Sequence, residues 1–211
     1  ALSALPNAHV DGYEIDPEII SVGEQYFGMD LPNLTTYAED ARWGIVHSAA
    51  IYDLVSVDAY RPPYIPPHMV TVEFFAEIAR KLSPTGVVAV NVGRSPGDHS
   101  LVDAMSSTMA QVFPHVFVSD LPDSYNTIIF GARSVDADWK HFESEAQKQK
   151  SAEENGLLAL AMQATLAGKV QPVTTGLVFT DDKAPIEFIT NKMVLEFVFG
   201  GGAIENEIHT Q

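Results

Sequence analysis

Three short apolar runs, each closing on an acid, set the pattern of the first third of the chain. They are His9–Asp16 (His-Val-Asp-Gly-Tyr-Glu-Ile-Asp), Leu34–Asp40 and Tyr52–Asp58. Segments with helical spacing separate them. The order is strand–helix–strand–helix–strand, which builds a parallel α/β sheet. Pro17 and Glu18 suit a first helical turn, and Ile19, Ile20, Val22, Tyr26 and Phe27 give a stripe that ends near Gly28. Asp16 is placed to cap that helix. Asp40 is placed to N-cap the next one, through Trp43, Ile45 and Val46. Ala1–Pro6 reads as the tail of a helix.

Beyond Asp58, the run Ala59–Pro67 contains four prolines. Prolines remove donors and block helix, so a stiff loop over the strand ends is predicted. Val70, Phe74, Phe75, Ile78, Ala79 and Leu82 then share a helix face. Pro84–Thr85–Gly86 turns into a buried strand, Val87–Val92. A helix over Ser100–Phe113 and strands over Val116–Ser119 and Thr127–Ala132 complete the sheet. Residues 136–169 predict two polar helices, surface or dimer-facing, broken around Ser151 and Gly156. A short strand at Leu177–Phe179 precedes the acidic turn Thr180–Glu187. A final helix near Phe188–Phe197 leads to Gly200–Gly202, read as a frayed or linking end. The expected organisation is a nucleoside-binding α/β domain over 1–135 and a helical extension over 136–211 that packs on it.

The chain has 211 residues, 46% of them apolar and 19% charged, an ordinary globular composition. No apolar run is long enough to cross a bilayer and no signal-peptide pattern opens the chain. A cytoplasmic location follows, or the cytosolic domain of a longer membrane-fused protein. There is no cysteine, which removes disulfides, thiolate metal sites and cysteine nucleophiles. The formal charge of −16 argues against a nucleic-acid partner. It is compatible with a cationic ligand, although an acidic surface that keeps a protein soluble is the plainer explanation.

The chemistry therefore rests on oxygen and nitrogen groups. In parallel α/β sheets small molecules bind beyond the carboxyl ends of the strands, and Glu14, Asp40 and Asp58 stand at three successive ends. They are expected to face one crevice; the alternative is that they are caps and solvated strand ends. A carboxylate at Glu14 can accept from both hydroxyls of a ribose. Asp40, with the Ala41 amide, can meet a base, and Asp58 faces whatever reacts. Tyr60 and Tyr64 either line the pocket through cation–π contact or simply pack. The histidines His9, His47, His68, His99, His115, His141 and His209 show no metal-ligand spacing. His68 reads as a cap or surface group. Ser56 and Ser95 lack a nucleophile-elbow context. Asp181, Asp182 and Glu187 either reach the crevice rim or cap the last helix.

The segments Tyr-Glu-Ile-Asp-Pro-Glu (13–18), Glu-Asp-Ala-Arg (39–42), Tyr-Asp-Leu-Val-Ser-Val-Asp-Ala-Tyr (52–60) and Pro-Pro-His-Met-Val-Thr-Val-Glu-Phe-Phe (66–75) resemble the spermidine synthases and spermidine synthase-like proteins. Leu82–Asn91 continues the likeness, and Thr180–Glu187 resembles the closing motif of the branch often fused to membrane segments. The resemblance covers roughly 8–133 and that later motif. It implies a Rossmann-like, class I methyltransferase-type fold with a mostly parallel sheet and flanking helices. It implies aminopropyl transfer from decarboxylated S-adenosylmethionine to a polyamine acceptor such as putrescine, in a homodimer and without a metal.

By this resemblance Glu14, with Ile15, holds the ribose, Asp40 and Ala41 hold the adenine, and Asp58 is the catalytic aspartate. Tyr60 and Tyr64 stand beside it at the amine. Two departures are visible. The family's glycine-rich loop after its first strand occurs nowhere in this chain, so the first strand is expected to be missing and the chain to be part of a longer protein. Typical aminopropyltransferases also carry a second aspartate three residues after the catalytic one, where this chain has Arg61, a fixed cation that opposes a dicationic amine. These departures keep two alternatives in view: an S-adenosylmethionine-dependent methyltransferase, and an inactive relative that serves as a binding or regulatory subunit.

Overall fold

Valine alternates with small or polar residues through the longest strand, and the alternation decides which face of the sheet becomes core. In the computed structural model, which describes residues 5–60, 64–150 and 156–199, that strand is β4 (Leu82–Gly93). Val88, Val90 and Val92 are fully buried, while Val87, Ala89 and Asn91 point to the other, half-covered face. β3 (Tyr52–Val57) runs parallel to β4, with a slip in register between Tyr52 and Leu54 that leaves Ser83–Gly86 as a bulge. The turn expected at Pro84–Gly86 is thus part of a longer, irregular strand. β5 (His115–Asp120) and β6 (Asn126–Ala132) follow the helix α4 (Ser100–Met109), and β7 is the two residues Lys169–Val170.

The strand order is β3-β4-β6-β5-β7, with β6 antiparallel to β4 and to β5, and β7 antiparallel to β5. β1 (Val10–Glu14) and β2 (Leu34–Ala38) pair in parallel as a separate two-stranded sheet. Strand directions are therefore mixed. A sheet lacking its first strand was expected. Among the described residues the strands form two sheets, and β1 and β3 each keep one edge unpaired. A side-chain hydrogen bond links them near their starts: Tyr52 Oη donates to Asp11 Oδ2 at 2.8 Å.

The core lies between the larger sheet and two helices, α3 (Val72–Lys81) and α4. Phe74, Phe75 and Ile78 project from α3, and Met105 and Met109 from α4, each 2% exposed or less. Thr71 caps α3 by accepting the Phe74 amide, and acid at its start and base at its end suit the helix dipole. The other helices are α1 (Pro17–Tyr26), α2 (Ala41–His47), α5 (Trp139–Lys150), α6 (Gly156–Ala167) and α7 (Ile186–Phe199). Asp16 and Asp40 cap α1 and α2, accepting from the amides of Glu18 and Trp43.

Three expectations change. α6 is apolar rather than polar (Gly-Leu-Leu-Ala-Leu-Ala-Met). Leu177–Phe179 forms no strand; the Phe179 carbonyl instead accepts from Val72 at the head of α3. Of the helix tail expected over Ala1–Pro6, Leu5 and Pro6 are not helical and residues 1–4 lie outside the described residues. Arg61, Pro62, Pro63, Ser151 and Gly200–Gly202 lie outside the described residues. Among the described residues no helix is long and apolar enough to cross a membrane, and no cluster of acids and histidines fits a metal ion.

Candidate active site

Asp58 is the first residue past β3, exposed, with its Oδ1 accepting from Asn91 Nδ2 at 2.9 Å. Register explains the pairing. Ser56 and Asp58 share one face of β3, and Ala89 and Asn91 share that face of β4. With Asn126 and Ile128 of β6, and Leu121, they line a hollow of about 200 Å³ on the half-covered face of the sheet. Asn91 Oδ1 is buried without a hydrogen-bond partner among the described residues. Sequence reasoning passed over Asn91. The signal was there: one amide inside a strand that is otherwise valine and alanine.

Glu14 ends β1, half-buried, and lines a second hollow of about 180 Å³ with Gly12, Tyr13, Ile19, Ile20, Met29 and Thr36. Its Oε1 accepts the Asp16 amide at 2.9 Å, which turns the chain into α1. Ile15 is 71% exposed and lines neither hollow. Each hollow is smaller than the ~300–1,000 Å³ usual for a ligand pocket.

Asp40, with Ala41 beside it, heads α2 at the end of β2 and lines neither hollow. Oδ1 accepts the Trp43 amide at 2.8 Å and Oδ2 faces His68 Nε2 at 3.0 Å. Burial pushes this carboxyl up, but the Trp43 amide and the His68 ring outweigh it and hold it below the ordinary carboxylate range. The three acids do stand at three strand ends. The single crevice expected of them is not seen among the described residues: Glu14 and Asp58 line separate hollows.

The tyrosines divide. Tyr60 Oη accepts the Gly93 amide at 2.8 Å and donates to the Asn91 carbonyl at 3.1 Å, so its hydroxyl is committed to closing β3 onto β4. Burial pushes its phenol up. Tyr64 Oη donates to Asn191 Oδ1 on α7 at 2.7 Å.

One network was not anticipated. The Arg42 guanidinium reaches Glu77 of α3 (2.7 and 3.1 Å) and both Asp181 oxygens (2.8 Å each), and it donates to the His68 carbonyl at 2.9 Å. Thr71 Oγ1 also donates to Asp181, and the Asp181 amide donates to Glu73. The hydrogen bond from Arg42 holds the Asp181 carboxyl below its usual range. The acidic turn is thereby fastened to the heads of α2 and α3, beside Asp40. Arginine's planar fork suits two carboxylates at once.

No protein-family model matches the sequence. Among proteins, a probable polyamine aminopropyl transferase of Bifidobacterium longum is 31% identical over 199 residues, 87% of this chain and 44% of that protein. The polyamine aminopropyltransferase of Vibrio vulnificus is 30% identical over 152 residues, 70% of this chain and 50% of that protein. The chain is a homologue of these two proteins. It spans about half the length of these two relatives.

Solved structures agree on the fold. The spermidine synthase of Thermotoga maritima superposes with a TM-score of 0.60 at 16% identity, over 89% of this chain and 60% of that one. A spermidine synthase in complex with the transition-state analogue AdoDATO gives 0.58 at 15% identity, over 89% and 60%. Human methyltransferase-like protein 13 in complex with SAH gives 0.58 at 20% identity, over 88% and 80%. The fold is α/β of the methyltransferase-like type, with a central sheet and flanking helices.

Proposed function

We propose that the chain carries part of a spermidine synthase-like aminopropyltransferase site, acting on decarboxylated S-adenosylmethionine and a polyamine acceptor such as putrescine. The observation that carries this is Asp58 held by Asn91 at a hollow that Ser56 and Asn126 also line. A carboxylate suits an amine. In the reaction the neutral amine attacks the carbon next to the sulfonium, the carbon–sulfur bond breaks, and its electron pair goes to sulfur, leaving methylthioadenosine. The proton lost by the attacking nitrogen goes to the Asp58 carboxylate. Alignment of amine and sulfonium supplies much of the remaining rate.

The second hollow suits the nucleoside. Glu14 offers a carboxylate to the ribose beside the apolar Ile20 and Met29, with Ile15 adjoining, and Asp40 with the Ala41 amide meets the adenine. The two hollows then divide one substrate pair between them. Tyr64 belongs to the rim of the amine side, while Tyr60 supports it from behind. The reading includes assembly as a homodimer; α6 supports it, since Leu157 and Leu160 are 68% and 70% exposed. A monomer in analytical ultracentrifugation removes that part.

The separation of Glu14 from Asp58 favours a second reading, a non-catalytic relative that binds the nucleoside alone. One pair of variants decides. Asp58→Asn is expected to lower aminopropyl transfer by at least about 100-fold, the low end for a lost general base, with methylthioadenosine affinity within about twofold of wild type. Glu14→Gln is expected to weaken methylthioadenosine binding about tenfold. Nucleoside binding without transfer in the wild-type chain selects the non-catalytic reading. An Asp58→Asn variant that keeps full turnover removes the assignment of the base.

A further inference from the structure

As a nucleobase acceptor, the role proposed for it and the one on which a gate at this position rests, Asp40 is not free. Its carboxylate is already engaged on both oxygens, Oδ1 by the cap to Trp43 and Oδ2 by His68. An ionised carboxylate only accepts hydrogen bonds, so the ring presents Nε2–H to it. That N–H takes up an acceptor site on Asp40 that an exocyclic amine would also use.

His68 is built to be moved without disturbing its surroundings. Its backbone carbonyl is fixed by Arg42, which is itself held by Glu77 and Asp181, and the residue lies in the short 3-10 turn Pro67–Met69 anchored by buried Met69. The side chain is 47% exposed, and that of Asp40 is 36% exposed. Turning the ring about its own bonds breaks one exposed contact and leaves the Arg42 network whole.

We propose that His68 is a nucleobase-gating residue: its imidazole N–H takes an acceptor site on Asp40 Oδ2 in the nucleoside-free chain, and an adenine-type amine that approaches the same oxygen competes with it. The exchange is one donor for another on the same oxygen. A base that brings an acceptor to that edge cannot make it. His68 is thus a competitor that the substrate replaces, and its loss relieves the competition.

The test is calorimetric titration of methylthioadenosine into the whole chain and into its His68→Ala and His68→Gln variants. His68→Ala is expected to bind two- to fivefold tighter, the size of effect an exposed pair of this kind exerts. His68→Gln keeps a donor and stays close to wild type. A purely structural histidine gives the opposite result, weaker binding on truncation. In a nitrogen–proton correlation spectrum of the wild-type chain, the His68 ring signals shift as methylthioadenosine is added. Equal or weaker binding by His68→Ala, or unmoved ring signals, overturns the gate while leaving the nucleoside reading in place. Absence of methylthioadenosine binding by the wild type and both variants removes the nucleoside reading, and the gate with it.

Discussion

Two helices of ten residues each, α1 and α4, show how differently the two halves of the molecule are built. Both carry apolar stripes. α4 buries eight of its residues, Leu101, Val102, Ala104, Met105, Ser106, Ser107, Thr108 and Met109, between the larger sheet, α3 and α7. α1 buries only Gly23, which packs against the Met29 side chain. Ile19, Val22 and Tyr26 remain 57%, 46% and 69% exposed. The helix sequences do not explain this difference; their partners do. α4 lies on a five-stranded sheet, α1 on two strands that ladder to nothing else among the described residues. An amphipathic pattern states which face can be buried, and the neighbouring sheet decides whether it is.

The sharpest break of this comparison is a pair of truncations. Phe75→Ala, at a fully buried site on α3, is expected to cost about 3–5 kcal/mol in urea unfolding, whereas Ile19→Ala on α1 costs less than about 0.5 kcal/mol. Equal losses would mean that both halves share one core. Next comes the link between the halves. Arg42→Ala strands Glu77 and Asp181, and is expected to cost about 2 kcal/mol, less than a fully buried pair because Asp181 is 43% exposed.

The same link carries a pH signature. Asp181 is depressed by the Arg42 hydrogen bond, and Asp40, despite burial, by the Trp43 amide and His68. For groups depressed in the folded state, the stability they add is present above the unfolded carboxylate range of about 4 and is lost as pH falls through their lower folded values. Urea midpoints are therefore expected to fall below about pH 4, and Arg42→Ala to flatten that fall. A smaller effect tests α1 alone. Gly28 sits just beyond the helix with φ +65°, so Gly28→Ala is expected to cost about 1 kcal/mol through backbone strain, since no neighbour would clash with the added carbon.

Local chemistry was the part of this molecule that could be read in advance. Asp16 and Asp40 as caps, the stop at Gly28, and the strands around Val55, Val90 and Ile129 follow from patterns a few residues long, and the structure has them. What escaped depends on partners far apart in the chain. The Arg42–Asp181 contact spans 139 residues, and no local spacing announces it. The exposed face of α1 and the two separate sheets depend likewise on which edges meet. The site divides the same way. That Glu14, Asp40 and Asp58 end successive strands was legible, because it needs only strand ends. That Asn91 holds Asp58, that His68 holds Asp40, and that Glu14 and Asp58 face different hollows needed the register.

The most direct test of the nucleoside-dependent transferase account is a pair of calorimetric titrations of the wild-type chain, one with methylthioadenosine and one with S-adenosylmethionine. The account predicts tight binding of the first and weak binding of the second. Preference for S-adenosylmethionine contradicts it in favour of methyl transfer, and binding of neither contradicts the nucleoside site altogether.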